Sequence, residues 1–150
     1  MTILIQGATL PNGESTDLLI RDGVIAERGS GIAASGAQVI DANGLQALPG
    51  LVDLHTHLRE PGFEQSETVL TGSRAAAAGG FTAVHAMANT FPVADTAGVV
   101  EQVASLGAQH GYVTVRPIGA VTVGLARERL SEIGEMAQSR AQVRVFSDDG

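Results

Sequence analysis

Two histidines one residue apart, His55 and His57, close the apolar run Leu51-Val52-Asp53-Leu54, and Arg59-Glu60-Pro61-Gly62 follows at once. Residues i and i+2 of a β-strand share a face, so a strand persisting through both histidines aims the two imidazoles at one point. Neutral imidazole is the commonest protein ligand for a transition-metal ion. Asp53, two residues before His55, either orients such a site from behind or caps the strand end. Beside a metal pair, Arg59 suits an anion clamp, because guanidinium presents a planar fork to a carboxylate. Two more polar groups stand at expected strand ends: Asn89, within Met87-Ala88-Asn89-Thr90, and the pair Asp148-Asp149. Imidazole and carboxylate together suit Zn²⁺ or a similar divalent ion. Spacing alone lets either aspartate face the site. His85, inside a strand, and His110, just after a helix, read as packing or surface residues. Glu60 and Glu64 read as loop charges.

Composition removes most other chemistries. The chain has no cysteine, hence no disulfide framework, thiolate site or cysteine nucleophile. It also has no lysine, since Arg is the residue at all nine basic positions. That excludes a Schiff base, a Walker-type phosphate loop and a carboxylated lysine bridging metals. No serine sits in a G-x-S-x-G elbow. Gly29-x-Gly31 lacks the strand-to-helix turn of a phosphate site. Metal-activated water is what is left, with amide hydrolysis as the natural reaction class and Arg59 holding a substrate carboxylate. Sixteen acidic against nine basic residues, a net charge of −7, argue against nucleic acid as a partner. With only 3% aromatics, base-stacking platforms are not expected. The start, Met1-Thr2-Ile3-Leu4-Ile5, has no basic n-region, so no signal peptide is expected. No run approaches the ~18 apolar residues of a membrane span, so no membrane role is expected either. A cytoplasmic protein is the expectation.

These groups need elements to carry them. At 150 residues and 44% hydrophobic content, the chain can build a real core. Residues 1–50 read as a small β-meander or sandwich: strands over Ile3–Leu10, Asp17–Arg21, Val24–Glu27, Ala37–Asp41 and Leu45–Leu48. Asp22-Gly23 is the two-residue hairpin signal between the second and third. From Pro49-Gly50 the texture changes to βα alternation. Strands are predicted at Leu51–His55, Phe81–Met87, Tyr112–Ile118 and Val143–Phe146. The first helix is predicted from a Ser66 cap to a Gly79-Gly80 stop, with Glu67 in its first turn. The second is capped by Asp95, covers Thr96–Leu106 and ends near Gly107. The third spans Leu125–Ser139, on the stripe Ala126, Leu130, Ile133 and Ala137. Alternation of this kind implies a parallel α/β sheet, either open and doubly wound or the first half of a (β/α)₈ barrel of ~250 residues.

The motif Asp53-x-His55-x-His57-Leu58-Arg59-Glu60-Pro61-Gly62 resembles the signature of the dihydroorotases, within the amidohydrolase superfamily. Pro49-Gly50-Leu51-Val52-Asp53 is similar to that family's entry into barrel strand one, and Ala78-Gly79-Gly80-Phe81-Thr82 to its approach to strand two. Met87-Ala88-Asn89-Thr90 resembles its Met-Pro-Asn-Thr segment, with Ala88 in place of proline. Phe146-Ser147-Asp148-Asp149-Gly150 resembles its strand-four end. The resemblance implies a β-rich segment at 1–50 belonging to a composite β domain, then the first four βα units of a (β/α)₈ barrel at 51–150. It implies His55, His57 and Asp149 as ligands of one or two Zn²⁺ ions, the aspartate standing where other amidohydrolases place a carboxylated lysine. His57, Arg59 and Asn89 would contact substrate. The implied reaction is the reversible closure of N-carbamoyl-L-aspartate to L-dihydroorotate in pyrimidine synthesis. The family's further histidines, from strands five and six, and its general-base aspartate, from strand eight, would lie beyond residue 150. Residues 1–150 alone are therefore expected to be a truncated barrel that neither cyclises nor hydrolyses substrate. The resemblance allows a homo-oligomer or a complex with another pyrimidine-pathway enzyme. Competing readings are an allantoinase- or hydantoinase-like cyclic amidohydrolase, a non-catalytic subunit of the same fold, and an open flavodoxin-like binding domain.

Overall fold

The computed structural model describes residues 1–149 and divides into two units, Met1–Pro49 and Gly50–Gly150. In the first unit β1 (Thr2–Thr9), β2 (Ser15–Arg21) and β3 (Val24–Gly29) pair antiparallel in succession. Asp22 and Gly23 join β2 to β3 with φ of 50° and 82°, the positive values that a tight hairpin between right-twisted strands requires. The chain then returns so that β4 (Gln38–Asp41) lies parallel to β1, giving the order β3-β2-β1-β4. The unit is thus one mixed sheet, not a pure meander or a sandwich. The strand expected at Leu45–Leu48 is reduced to a single bridge between Thr9 and Gln46. β1 ends at Thr9, so only its last residue is available as a partner.

Leu4, Leu19 and Ile32 form the core of this unit. The carboxylate of Asp17 sits beside them and accepts from the N–H groups of Gly7 (2.9 Å), Gly31 (2.9 Å) and Ile32 (3.1 Å). These backbone donors, with Gly7 the largest contributor, hold the Asp17 carboxyl below its ordinary range. The Gly/Ser loop is pinned by this side chain.

In the second unit β5 (Leu51–Thr56), β6 (Phe81–Ala86) and β7 (Thr114–Pro117) form a parallel sheet in that order. Helix α1 (Val69–Ala78) follows β5, and α2 (Ala97–His110) follows β6. Val69, Val103, Val84, Ala86 and Val115 pack together between these helices and the sheet. Each buried valine stabilises the layer by about 1.5–3 kcal/mol relative to exposure. Among the described residues no helix is long and apolar enough to cross a membrane.

Local chemistry moves several boundaries. The cap of α1 is Thr68, in a reciprocal box with Thr71, not Ser66, whose N–H already donates to Phe63 O in a preceding turn. The carboxylate near the start of α1 comes from Glu60, which accepts from Val69 N–H at 2.7 Å. Asp95 does not cap α2; it accepts from Gly124 N–H at 2.8 Å, and Thr96 is the cap residue. Nor does Gly107 stop that helix. A Cβ there would lie 2.6 Å from Val115 Cβ, so the glycine lets α2 approach β7 closely.

The third helix shrinks most. Only Ile133–Gln138 (α3) is α-helical, after one 3₁₀ turn at Val123–Leu125. The intervening N–H groups bond outside a helical ladder: Val123 to Arg129 O, Ser131 to Val121 O and Arg127 to Thr122 Oγ1. Leu125 and Arg127 take φ of 58° and 61°, which no right-handed helix accommodates. The predicted strand Val143–Phe146 is likewise not a regular strand. It meets β7's extension through one bridge, Gly119 to Phe146. Pro117 at the end of β7 has no N–H to offer a further ladder.

Candidate metal centre

Between β5 and β6 the register slips just where the chemistry begins. Asp53 pairs with Val84 and Thr56 with Ala86, so Leu54 and His55 together oppose the single residue His85. Val84 and Ala86 face the helices, which puts Asp53 and Thr56 on that same side. The two of them line a cavity of about 200 Å³ with Leu58 and Ala76. A bulge of this kind changes the phase of a strand and re-aims its side chains. His55 is thereby freed from the face that Asp53 occupies. Asp53 meets it only through the backbone, its carboxylate accepting from His55 N–H at 3.0 Å. Thr56 locks the end of β5 to β6: its hydroxyl donates to His85 O (2.8 Å) and its carbonyl accepts from Met87 N–H (2.8 Å).

His55 Nε2 lies 3.0 Å from Asp149 Oδ1, and His57 Nε2 lies 3.8 Å from the same oxygen. The two imidazoles stand edge to face, with centroids 5.1 Å apart and planes at 66°. One ligand atom from each of His55, His57 and Asp149 falls within 4.8 Å of the others. Asp149 reaches this point from a left-handed backbone, φ 60°. Asn89, in the loop after β6, completes the group, its Oδ1 lying 3.0 Å from His57 Nδ1.

That last contact selects a tautomer. A carboxamide oxygen accepts only, so Nδ1 carries the proton, and in the neutral ring the Nε2 lone pair lies on the side of Asp149. Two imidazole nitrogens and a carboxylate oxygen, converging with one ring already oriented, form a donor set suited to Zn²⁺ or a similar divalent ion.

The two terminal aspartates divide their work. Asp148 turns away and accepts from Val121 N–H (2.9 Å), Thr122 N–H (2.9 Å) and the Thr122 hydroxyl (2.8 Å). The Thr122 N–H is the largest influence holding the Asp148 carboxyl below its usual range. Nothing in the sequence singled out Thr122, because its role depends on a contact twenty-six residues away.

Arg59 stands two residues after His57 with φ 59°, and its carbonyl accepts from Phe63 N–H. Among the described residues its guanidinium has no hydrogen-bond or ion-pair partner. His85 stays out of the cluster; burial, then the nearby Arg116, lowers its pKa and so favours its neutral form. His110 is the last residue of α2 and exposed. Gly150, the last residue of the strand-four motif, lies outside the described residues.

The family model described as Dihydro-orotase-like matches residues 44–150. A protein named dihydroorotase from Leifsonia xyli is 73% identical over 149 residues, which is 99% of this chain and 34% of that protein. A second, from Streptomyces coelicolor, is 63% identical over 147 residues, 98% of this chain and 34% of the relative. Among solved structures, an L-hydantoinase from Arthrobacter aurescens superposes with a TM-score of 0.80 at 24% identity, covering 97% of this chain and 32% of its own. At that identity the likeness concerns the fold alone. The chain spans about a third of the length of the curated relatives it matches.

Proposed function

Because this chain belongs to the dihydro-orotase-like family, we propose that its protein is a zinc-dependent cyclic-amide hydrolase interconverting N-carbamoyl-L-aspartate and L-dihydroorotate. The observation that carries the reading is the convergence of His55, His57 and Asp149 within 4.8 Å, with His57 oriented by Asn89. His55 Nε2, His57 Nε2 and an Asp149 oxygen are the atoms that would hold the ion. When bound, it supplies Lewis acidity at an amide carbonyl and lowers the pKa of a water ligand toward ~7.

The remaining groups select and hold the substrate. Asn89 spends its oxygen on His57 and keeps two N–H donors for a carboxylate. Arg59 offers a planar fork of donors that no described residue occupies. A substrate with a free carboxylate, as carbamoyl aspartate has, satisfies both. On the same reading β5, β6, β7 and the arm at 143–146 are the first four strands of a (β/α)₈ barrel, and residues 1–50 form part of a composite β domain. The parallel order β5-β6-β7, with the arm bridged beside β7, supports that assignment. The place of such a step is the cytoplasm, and its partner is the small-molecule substrate.

A second reading is a hydantoin- or allantoin-cleaving enzyme of the same fold. Hydantoin has no carboxylate for Arg59 to bind. Turnover by the protein of dihydroorotate, carbamoyl aspartate, hydantoin and allantoin, measured side by side, decides between the readings. Preference for dihydroorotate and carbamoyl aspartate is expected; preference for hydantoin or allantoin sinks the proposal. Zinc analysis of His55→Ala and His57→Ala tests the ligands separately, and unchanged zinc content in both would remove the metal assignment.

A further inference from the structure

We propose that Asp148, which touches no group of the metal centre, is the positioning residue that aims Asp149 at His55 and His57. The proposal rests on the metal-site reading above. Asp149 adopts φ 60°, a conformation uncommon for residues other than glycine. Such a conformation persists only where the surroundings over-determine it.

The sheet does not supply that constraint. The arm carrying Asp149 is not a regular strand: it is tied to Gly119 by Gly119 N–H to Val145 O (3.1 Å) and Ser147 N–H to Gly119 O (3.0 Å). Beyond Ser147, the backbone of Asp149 makes one described bond, its N–H to Ser147 Oγ at 3.1 Å. Asp148 provides what the ladder does not. Its Oδ1 takes two N–H groups, from Val121 and Thr122, and its Oδ2 takes the Thr122 hydroxyl. Thr122 is itself buried and fixed, since its oxygen accepts from Arg127 N–H at 2.9 Å. A carboxylate held by three donors fixes the peptide on either side of it. With Asp148 anchored to the loop after β7, the following residue is turned toward the histidines. Both oxygens of Asp148 are thus engaged, and it is not itself a ligand.

The test uses the protein freed of metal and titrated with Zn²⁺ against a chromophoric chelator, and with Co²⁺ for its absorption spectrum. Asp148→Ala should weaken zinc binding about 10–100-fold and alter the cobalt spectrum, because the ligand geometry changes. Asp148→Asn, which keeps one acceptor oxygen, should lose less, and Thr122→Val, which removes one of the three bonds, should fall between it and wild type. Asp149→Ala should lose more than any of them. If Asp148→Ala does not fold, Asp148→Asn and Thr122→Val carry the test. Wild-type zinc affinity and cobalt spectrum in the folded Asp148 and Thr122 variants, with Asp149→Ala impaired, would overturn the proposal and leave the metal site standing. Unchanged zinc binding in Asp149→Ala, His55→Ala and His57→Ala overturns the metal-site reading and this proposal with it.

Discussion

His57 and Asn89 meet ring to carboxamide, Nδ1 to Oδ1 at 3.0 Å, across the gap between the ends of β5 and β6. The contact joins two consecutive βα units through the group that orients an imidazole. A ligating histidine whose second nitrogen is fixed loses little freedom on binding a metal, and loss of such a partner typically costs 10–100-fold in affinity.

Replacing Asn89 separates its two functions. Asn89→Leu leaves Nδ1 without an acceptor and should weaken zinc binding about 10–100-fold. Asn89→Asp keeps an acceptor, so zinc binding should stay near wild type. The same change removes the two N–H donors and adds a negative charge, so KM for carbamoyl aspartate should rise. Chelator competition and steady-state kinetics on the two variants check this. Equal zinc affinity in Asn89→Leu and wild type refutes the orienting role.

Asp53 acts on His55 from the opposite side of the sheet. Its carboxylate accepts the His55 N–H inside the register slip, at 3.0 Å. Without an acceptor, that amide is free to return the strand to an ordinary phase, which would carry the His55 side chain away from His57. Asp53→Ala should therefore reduce zinc affinity about tenfold, while Asp53→Asn, which retains an acceptor, should restore most of it. The same zinc titration measures both.

The convergence of His55 and His57, with Arg59 and Asn89 beside them, was legible because its spacing is local. A two-residue interval, a Pro-Gly turn and a carboxamide at the next strand end are visible in any one sequence. The parallel βα order was legible for the same reason, from alternating apolar runs and Gly-rich stops. What was not legible depends on bonds between distant residues. The stripe Ala126, Leu130, Ile133 and Ala137 has helical spacing, yet Asp95 takes the N–H of Gly124 and Thr122 takes that of Arg127, and after the 3₁₀ turn at Val123–Leu125 no α-helix forms in this stretch until Ile133. Spacing alone left Asp148 and Asp149 open, and only the resemblance pointed to Asp149; in the fold the N–H groups of Val121 and Thr122, more than twenty residues upstream, take Asp148 and leave Asp149 facing the histidines. The aim of His55 turned on a register slip that alternation alone cannot reveal.

Gly62 couples the loop of Arg59 to the loop of Asn89. Its φ is 103°, and a Cβ there would lie 2.3 Å from the carbonyl oxygen of Phe91. Phe91 N–H donates to Pro61 O at 3.0 Å, so the two loops cannot part without losing that bond. Gly62→Ala should destabilise the protein by about 1–3 kcal/mol, read as a lower denaturant midpoint at unchanged slope. Phe91→Ala should not rescue it, because the obstructing oxygen belongs to the backbone. A wild-type midpoint in Gly62→Ala would show that the loops separate freely.

Asp17 should make the first unit sensitive to acid. Three backbone N–H groups hold its carboxyl below the ordinary aspartate value of 3.8, so the folded state prefers it ionised. A carboxyl with a depressed folded pKa contributes stability that is fully present above its unfolded pKa and is lost as pH falls through the folded one. The hydrogen-exchange protection of the Leu19 and Ile32 amides should therefore hold steady near neutrality and decline as pH falls below about 4, once the intrinsic pH dependence of exchange is removed. Asp17→Asn should lower protection at neutral pH, because an amide retains one acceptor oxygen where three N–H groups converge, and it should flatten the acid decline. Parallel acid profiles in Asp17→Asn and wild type would assign that decline to other carboxyls. A flattened profile identifies Asp17 as the group through which protons loosen the anchor of the 29–32 loop on Gly7 and the core around Leu19.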